Sequence, residues 1–225
     1  MTRLSIIMLS DGKKMKFRWL SIAATLLYSS AGLAHPHSWI DMKTYIHGTE
    51  QQITGFTMEW TFDAMTSAYM LDGEDMSPDH KAQTLKQVGD SVMHNMINEH
   101  YFTYFYNGEQ PIKYKLAENG ELTQNRTKLT LTFDLPLSKP QPLTKDSLKV
   151  LIFEPSYYVD MSWKKSKDVI LDPELAAVCN AEMIEPNPTP EQMSYAMSLP
   201  PDADPDNALG QLFTQTVRLH CKPSS

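Results

Sequence analysis

The run His35-Pro36-His37-Ser38-Trp39-Ile40-Asp41 places two imidazoles and a carboxylate within seven residues. The chemistry such a run suits is the holding of a metal ion. If a leader is removed after Ala34, His35 opens the mature chain, and its α-amine and Nδ1 can close a six-membered chelate ring. An α-amine titrates near 7.7–8 and an imidazole near 6.5, so both yield their protons when a metal competes. His37 offers a third nitrogen. The square-planar amino-terminal copper and nickel motif needs a deprotonatable amide N–H at its second residue, and Pro36 has none. What remains is a looser set of amine, imidazole and carboxylate, which suits zinc, and with less preference nickel, cobalt or copper.

Strand geometry restricts this set. If residues 37–41 are extended, His37, Trp39 and Asp41 share a face, and His37 and Asp41 stand about 13 Å apart. That is too far to share one ion, so Asp41 is expected in a supporting role. Further ligands must come from elsewhere, and Glu59, Asp63, His100 and Asp160 are the candidates. A pair of histidines at an exposed chain end can also bind metal only weakly, and spacing alone leaves that reading open.

The leader itself is legible. Met15-Lys16-Phe17-Arg18 is basic, residues 19–27 are mostly apolar, and Gly32 and Ala34 occupy the −3 and −1 positions of a cleavage site. Residues 1–34 read as a secretory signal peptide, too short and polar-flanked for a membrane span. Residues 1–14 fit that pattern poorly, which points to a translation start at Met15. The mature chain then has about 191 residues and, with five basic residues and one acid removed, a net charge of about −11. Such acidity argues against nucleic acid and anionic lipid surfaces and is compatible with attracting cations. Export to a Gram-negative periplasm also favours pairing of the two cysteines, Cys179 and Cys221, as a disulfide.

The elements that must position these residues are mostly β. Residues 38–47 alternate, with Ile40, Met42 and Ile46 on one face, and 53–62 alternates with Phe56, Met58, Trp60 and Phe62 inward; a hairpin is expected. Asp63 precedes a short helix over 64–71 and is expected to cap it. The acidic loop 71–78 lacks the register of a calcium loop. A longer helix is expected from Ser77-Pro78-Asp79 to about Glu99, with Leu85, Val88, Val92 and Met96 on one face, His94 opposite, and His100 at its C-terminal end where the dipole favours a cation. An aromatic strand follows over 101–106, with 112–116 pairing back. Asn119-Gly120 reads as a turn, 128–135 as a strand, and Pro136, Pro140 and Pro142 as the connection to a central strand over 148–153. Pro155 makes the chain leave the sheet or start a new edge, and 169–171 is a short strand. Six prolines between 186 and 205 indicate an excursion holding at most a short helix over 190–198. A last strand is expected over 213–219. The sum is an α+β fold: antiparallel sheets forming a sandwich, with a helical segment inserted at about 64–100, in a single domain over 35–225.

Four blocks carry a resemblance: the start at His35, Glu59-Trp60-Thr61-Phe62-Asp63-Ala64-Met65, Tyr101-Phe102-Thr103-Tyr104, and Glu154-Pro155-Ser156-Tyr157-Tyr158. Together they resemble the periplasmic family labelled "ABC-type transport system, periplasmic component", which includes ZevA-like zinc-uptake accessories. The resemblance covers much of 35–161. It implies an accessory of an inner-membrane metal permease, for zinc before other metals, and it carries over His35, His37, Asp41 and Asp63 as site residues; the role expected is metal handling without catalysis. This chain departs from the family at Glu154-Pro155, where relatives often have Asp-Pro.

Two other classes compete. A histidine-brace copper protein would use His35 with a distant second imidazole, His100 or His220; the methionines, such as Met58 and Met96, fall at core-like positions and suit packing. A ligand-free periplasmic interaction module would need none of the histidines. No local signature of a hydrolytic nucleophile is present.

Overall fold

The computed structural model describes residues 36–199 and 209–222. The leader, the start at Met15, His35 itself and residues 200–208 of the proline-rich excursion lie outside the described residues.

Two sheets enclose the core. The first is built on β1 (Ser38–Gly48) and β2 (Gln52–Phe62), the expected antiparallel hairpin, with Met42 opposite Trp60 and Ile46 opposite Phe56. Alternation explains it: Ile40, Met42, Ile46, Phe56, Met58, Trp60 and Phe62 are all buried. β2 pairs on its other side with β6 (Lys128–Pro142), and β6 with β5 (Glu118–Asn125). The free edge of β1 takes two short strands, β8 (Val159–Ser162) and β9 (Val169–Leu171). Both run parallel to β1, a departure from the purely antiparallel arrangement.

The second sheet runs β10 (Cys179–Ile184), β11 (Thr216–Cys221), β7 (Leu148–Ile152), β3 (Thr103–Asn107) and β4 (Gln110–Pro111). β7 is central, as its continuous apolar run requires. Across the interior, Phe56 of β2 meets Phe105 of β3 edge to face at 5.3 Å, and within the first sheet Trp60 meets Phe133 of β6 edge to face at 5.0 Å. Such pairs contribute roughly 0.5–1.5 kcal/mol beyond their buried area. The sandwich with an inserted helical segment is therefore the observed architecture. A polar clamp also links the sheets: Gln215 accepts from the Trp163 amide at 2.8 Å and donates back to its carbonyl at 3.1 Å.

The inserted segment consists of α1 (Ala64–Met70) and α2 (Lys81–Asn95), both shorter than the sequence suggests. α2 starts late because Ser77 is held in a turn, its amide donating to Asp75, and because the His80 amide donates back to the Ser77 carbonyl. It ends at Asn95, so His100 is not its C-terminal residue. His100–Phe102 form a separate turn in which all three φ angles lie near +50°. Non-glycine residues in that region cost of order 1–3 kcal/mol each and persist only where their surroundings fix them. Here Tyr101 is buried, its hydroxyl accepts from the Ala117 amide, and the Thr103 hydroxyl donates to its carbonyl. The aromatic strand therefore begins at Thr103.

Three further readings are corrected. Residues 112–116 do not pair back on β3 beyond a first hydrogen bond; they cross to β6, where the Lys115 amide donates to the Pro136 carbonyl. Asn119-Gly120 is no turn but an irregularity within β5, with Asn119 at φ +54°. Pro136, Pro140 and Pro142 lie inside β6, on either side of and within a register shift between Ile53 and Gly55. Gly55 is needed there, since an added Cβ would stand 2.9 Å from the Leu135 carbonyl oxygen.

After β9 come α3 (Pro173–Val178), α4 (Pro190–Ser198, as expected) and α5 (Leu209–Leu212). The last strand starts at Thr216 rather than 213. Cys179 and Cys221 face each other across the β10–β11 ladder, Cα–Cα 4.1 Å, and form the disulfide. Among the described residues no helix is long and apolar enough to cross a membrane.

The bond closes a long loop, so its reduction is expected to lower stability by roughly 4 kcal/mol on the chain-entropy model. Urea denaturation with and without reductant measures this, and equal midpoints would contradict the pairing. Beside it, His220 lies between Asp146 and Glu182, each 2.8 Å from a ring nitrogen. These bonds, Asp146 first, raise the His220 pKa above its ordinary value. Its contribution is then complete below about pH 6.5 and is lost as pH rises through the raised value. The stability gap between the native chain and His220→Gln should narrow as pH climbs from about 6.5; a gap independent of pH would refute the link.

Candidate functional site

The start of β1 is the point where the separated sequence blocks meet. Ser38 and Trp39 pair in parallel with Val159 and Asp160. One step earlier, the His37 amide donates to the Tyr158 carbonyl at 2.9 Å, and the His37 ring packs on the Tyr158 ring with centroids 4.8 Å apart. The block at Glu154 thus anchors the block at His37.

That anchor is a built loop. The Glu154 carboxylate accepts from the Ser156 amide and hydroxyl, from the Tyr158 amide at 2.7 Å, and more weakly from Val159. Tyr157 sits at φ +60° and stacks on Phe213 at 4.2 Å. Burial, then the charge of Asp160, pushes its phenol up to about 12. Gly210 lies against the loop so closely that an added Cβ would stand 2.0 Å from the Glu154 carbonyl oxygen. Glu154 therefore spends its charge on its own loop and shapes the ground on which His37 rests.

The Trp60 block arrives from the other side. The Trp39 amide donates to Asp63 at 3.0 Å, and the Asp63 amide donates back to the Trp39 carbonyl at 2.9 Å. Asp63 caps α1, accepting from the Met65 and Thr66 amides and from the Thr66 hydroxyl. Burial pushes its carboxyl up, but these hydrogen bonds outweigh burial and hold it below the usual carboxylate range. With four donors on two oxygens its acceptor capacity is filled. The Ser38 hydroxyl closes the junction, 2.7 Å from that of Thr66.

The other predicted ligands are placed as follows. Asp41 lies on the outer face and pairs with Lys164 at 3.0 Å and, more loosely, Lys128 at 3.8 Å. Glu59 is taken by Lys43 at 2.7 Å. His100 is exposed in its left-handed turn on the approach to β3. His220, a possible second imidazole of a copper brace, has both ring nitrogens engaged with carboxylates. Asp160 is different: it is level with Trp39, and burial pushes its carboxyl up, offset by Lys164 and reinforced by Asp41. Among the described residues no three His, Cys, Asp or Glu side chains are placed to hold one ion. The structure thus joins His37 and Asp63 to one junction, leaves Asp41 and His100 outside it, and adds Glu154 and Tyr158 as its supports.

A second polar group was not legible in the sequence. His47 Nδ1 lies 3.1 Å from Asp172, and its Nε2 lies 2.7 Å from the Thr57 hydroxyl, which donates to Asp134 at 2.6 Å. Hydrogen bonds from Asn119 and Thr57 hold the Asp134 carboxyl below its usual range against some burial. The residues come from β1, β2, β6 and the cap of α3, and no local spacing signals them.

The fold and site define a two-sheet α+β protein in which His37 is docked on a strand-start junction. The chain belongs to the family described as a protein of unknown function, DUF1007, which it matches over residues 20–221. It is also 33% identical over 205 residues to an uncharacterized protein of Haemophilus influenzae, covering 90% of this chain and 98% of that protein.

Replacing Asp63 with Ala should cost about 0.5–2 kcal/mol for the lost cap. A depressed carboxyl contributes above its unfolded value of about 3.9 and loses that contribution as pH falls through the folded value. Melting curves of the native chain and Asp63→Ala should therefore converge below about pH 3.9; a constant gap would show that the charge is irrelevant.

Proposed function

We propose that this chain is a periplasmic divalent-metal-binding accessory of an inner-membrane metal transport system, and that its metal is zinc. The observation that supports this reading is the docking of His37. Its backbone is bonded to Tyr158, its ring lies on the Tyr158 ring, and the loop beneath is fixed by Glu154. A chelating residue held in this way loses less freedom on binding an ion.

The donors would be the α-amine and imidazole of His35, the imidazole of His37 and the carboxylate of Asp160, which is level with Trp39. This set is nitrogen-rich and keeps open positions, which fits a carrier that must surrender its ion rather than a closed structural site. Asp41 and Asp63 keep supporting roles, one in ion pairs and the other as a cap. Burial already disfavours a charged Asp160, and a cation nearby would reverse that. The resemblance of the first residues to zinc-uptake accessories supports the choice of metal, and the acidic mature surface supports attraction of a cation. Transfer to a permease requires no covalent chemistry, so no enzymatic role is assigned.

The test uses protein exported and processed so that His35 is residue one, beside the same protein carrying one extra Ala before His35. Titration calorimetry with zinc, then copper and nickel, is expected to give saturable zinc binding that weakens at least tenfold in the extended protein. Equal binding in both would move the site away from the amine. No binding in either would leave a docking module as the better account.

A further inference from the structure

Apart from the strand-start junction, β3 and residues 112–116 enclose a cavity of about 510 Å³, within the range of small-molecule sites. Its walls are apolar and aromatic, formed chiefly by Ile97, Tyr104, Phe105, Ile112 and Tyr114. The strained turn His100–Phe102 contributes His100 and Tyr101 to the lining, and strain of this kind clusters where a fold shapes a binding surface. The Tyr114 hydroxyl is buried in this wall beside the Phe105 backbone. Burial raises the Tyr114 pKa, with the Phe105 backbone acting in the opposite sense.

Charge selects the occupant. The ionisable groups with a cationic form on the lining are Lys113, Lys115 and His100, and no Asp or Glu lines the cavity, in a chain with 27 acidic residues. A peptide added to the edge of β3 fits less well. That edge is already used: the Ile112 amide donates to the Phe105 carbonyl at 2.8 Å, and Tyr106 pairs with Pro111. A single apolar chain with an anionic end matches the rings inside and the ammonium groups at the rim.

We propose that this cavity binds a monomeric apolar carboxylate of the medium-chain fatty acid class, its chain against the aromatic wall and its carboxylate met by Lys113 and Lys115. The site does not rest on the metal reading, because it shares no residue with the strand-start junction.

The experiment titrates the mature protein with decanoate below its micelle concentration, with decanol and decyltrimethylammonium as neutral and cationic controls of equal chain length. Expected is saturable one-to-one binding of decanoate, at least tenfold tighter than either control, with perturbed ring signals of Tyr104 and Tyr114 in NMR spectra. The double variant Lys113→Glu, Lys115→Glu changes two exposed side chains; it should keep its melting temperature and lose at least tenfold in decanoate affinity. Ile97→Trp, which narrows the rim, should weaken all three ligands together. Absence of saturable binding, equal affinity for the three chains, or indifference to the charge reversal would each overturn the proposal.

Discussion

β1 is paired along both edges, and that constraint fixes the placement of the residues around His37. β2 holds one side from Ile40 to Gly48, while β8 and β9 share the other. Its inner face is buried, and a slip of one residue would bring Asp41, Lys43 and Tyr45 into the core in place of Ile40, Met42 and Ile46. Even the polar residue on that face is accommodated: buried Thr44 accepts from the Trp163 indole at 3.0 Å. With the register set on two sides, the residue before the strand has little choice of position. His37 is placed by the ladder as much as by its own contacts.

The blocks that meet there lie far apart in sequence. Trp39 reaches Asp63 across 24 residues, and His37 meets Tyr158 from beyond β7. Each block also satisfies a local need. Asp63 caps a helix, and Glu154 folds a loop that forces Tyr157 into a left-handed conformation. These local and distant demands agree, which is the consistency expected of a minimally frustrated fold.

The parts legible in the sequence were those governed by one periodicity or one cap. The β1–β2 hairpin follows from alternation, the Asp63 cap from its place before Ala64, the central β7 from its unbroken apolar run. The disulfide followed from compartment. What was not legible depended on partners. Pro136, Pro140 and Pro142 look like strand breakers, yet proline is tolerated beside a register shift, and the Pro136 carbonyl still accepts from Lys115. Asn119-Gly120 carries a turn signal because asparagine tolerates positive φ, and a bulge uses the same tolerance. The parallel pairing of β8 and β9 depends on the direction in which the chain crosses between sheets, which no local pattern records.

Carboxylates were the hardest to read, for a physical reason. A carboxylate accepts from backbone N–H groups, an ammonium group or a metal ion with similar geometry, so residue type and spacing do not separate the three fates. Asp63 went to amides, Glu154 to its own loop, Asp41 and Glu59 to lysines. Asp160 went to none of these: it stands near Asp41, with Lys164 as its compensating cation, and burial disfavours its charge. Asp41 shares Lys164 with Asp160 and has Lys128 besides, so Asp160 is the acid left short of positive charge. A cation arriving there would relieve that deficit, whereas at Asp63 it would first have to displace four hydrogen bonds. Electrostatics therefore favours the β8 side of the junction over the α1 side as the place where an ion held by the first residues would find its oxygen ligand.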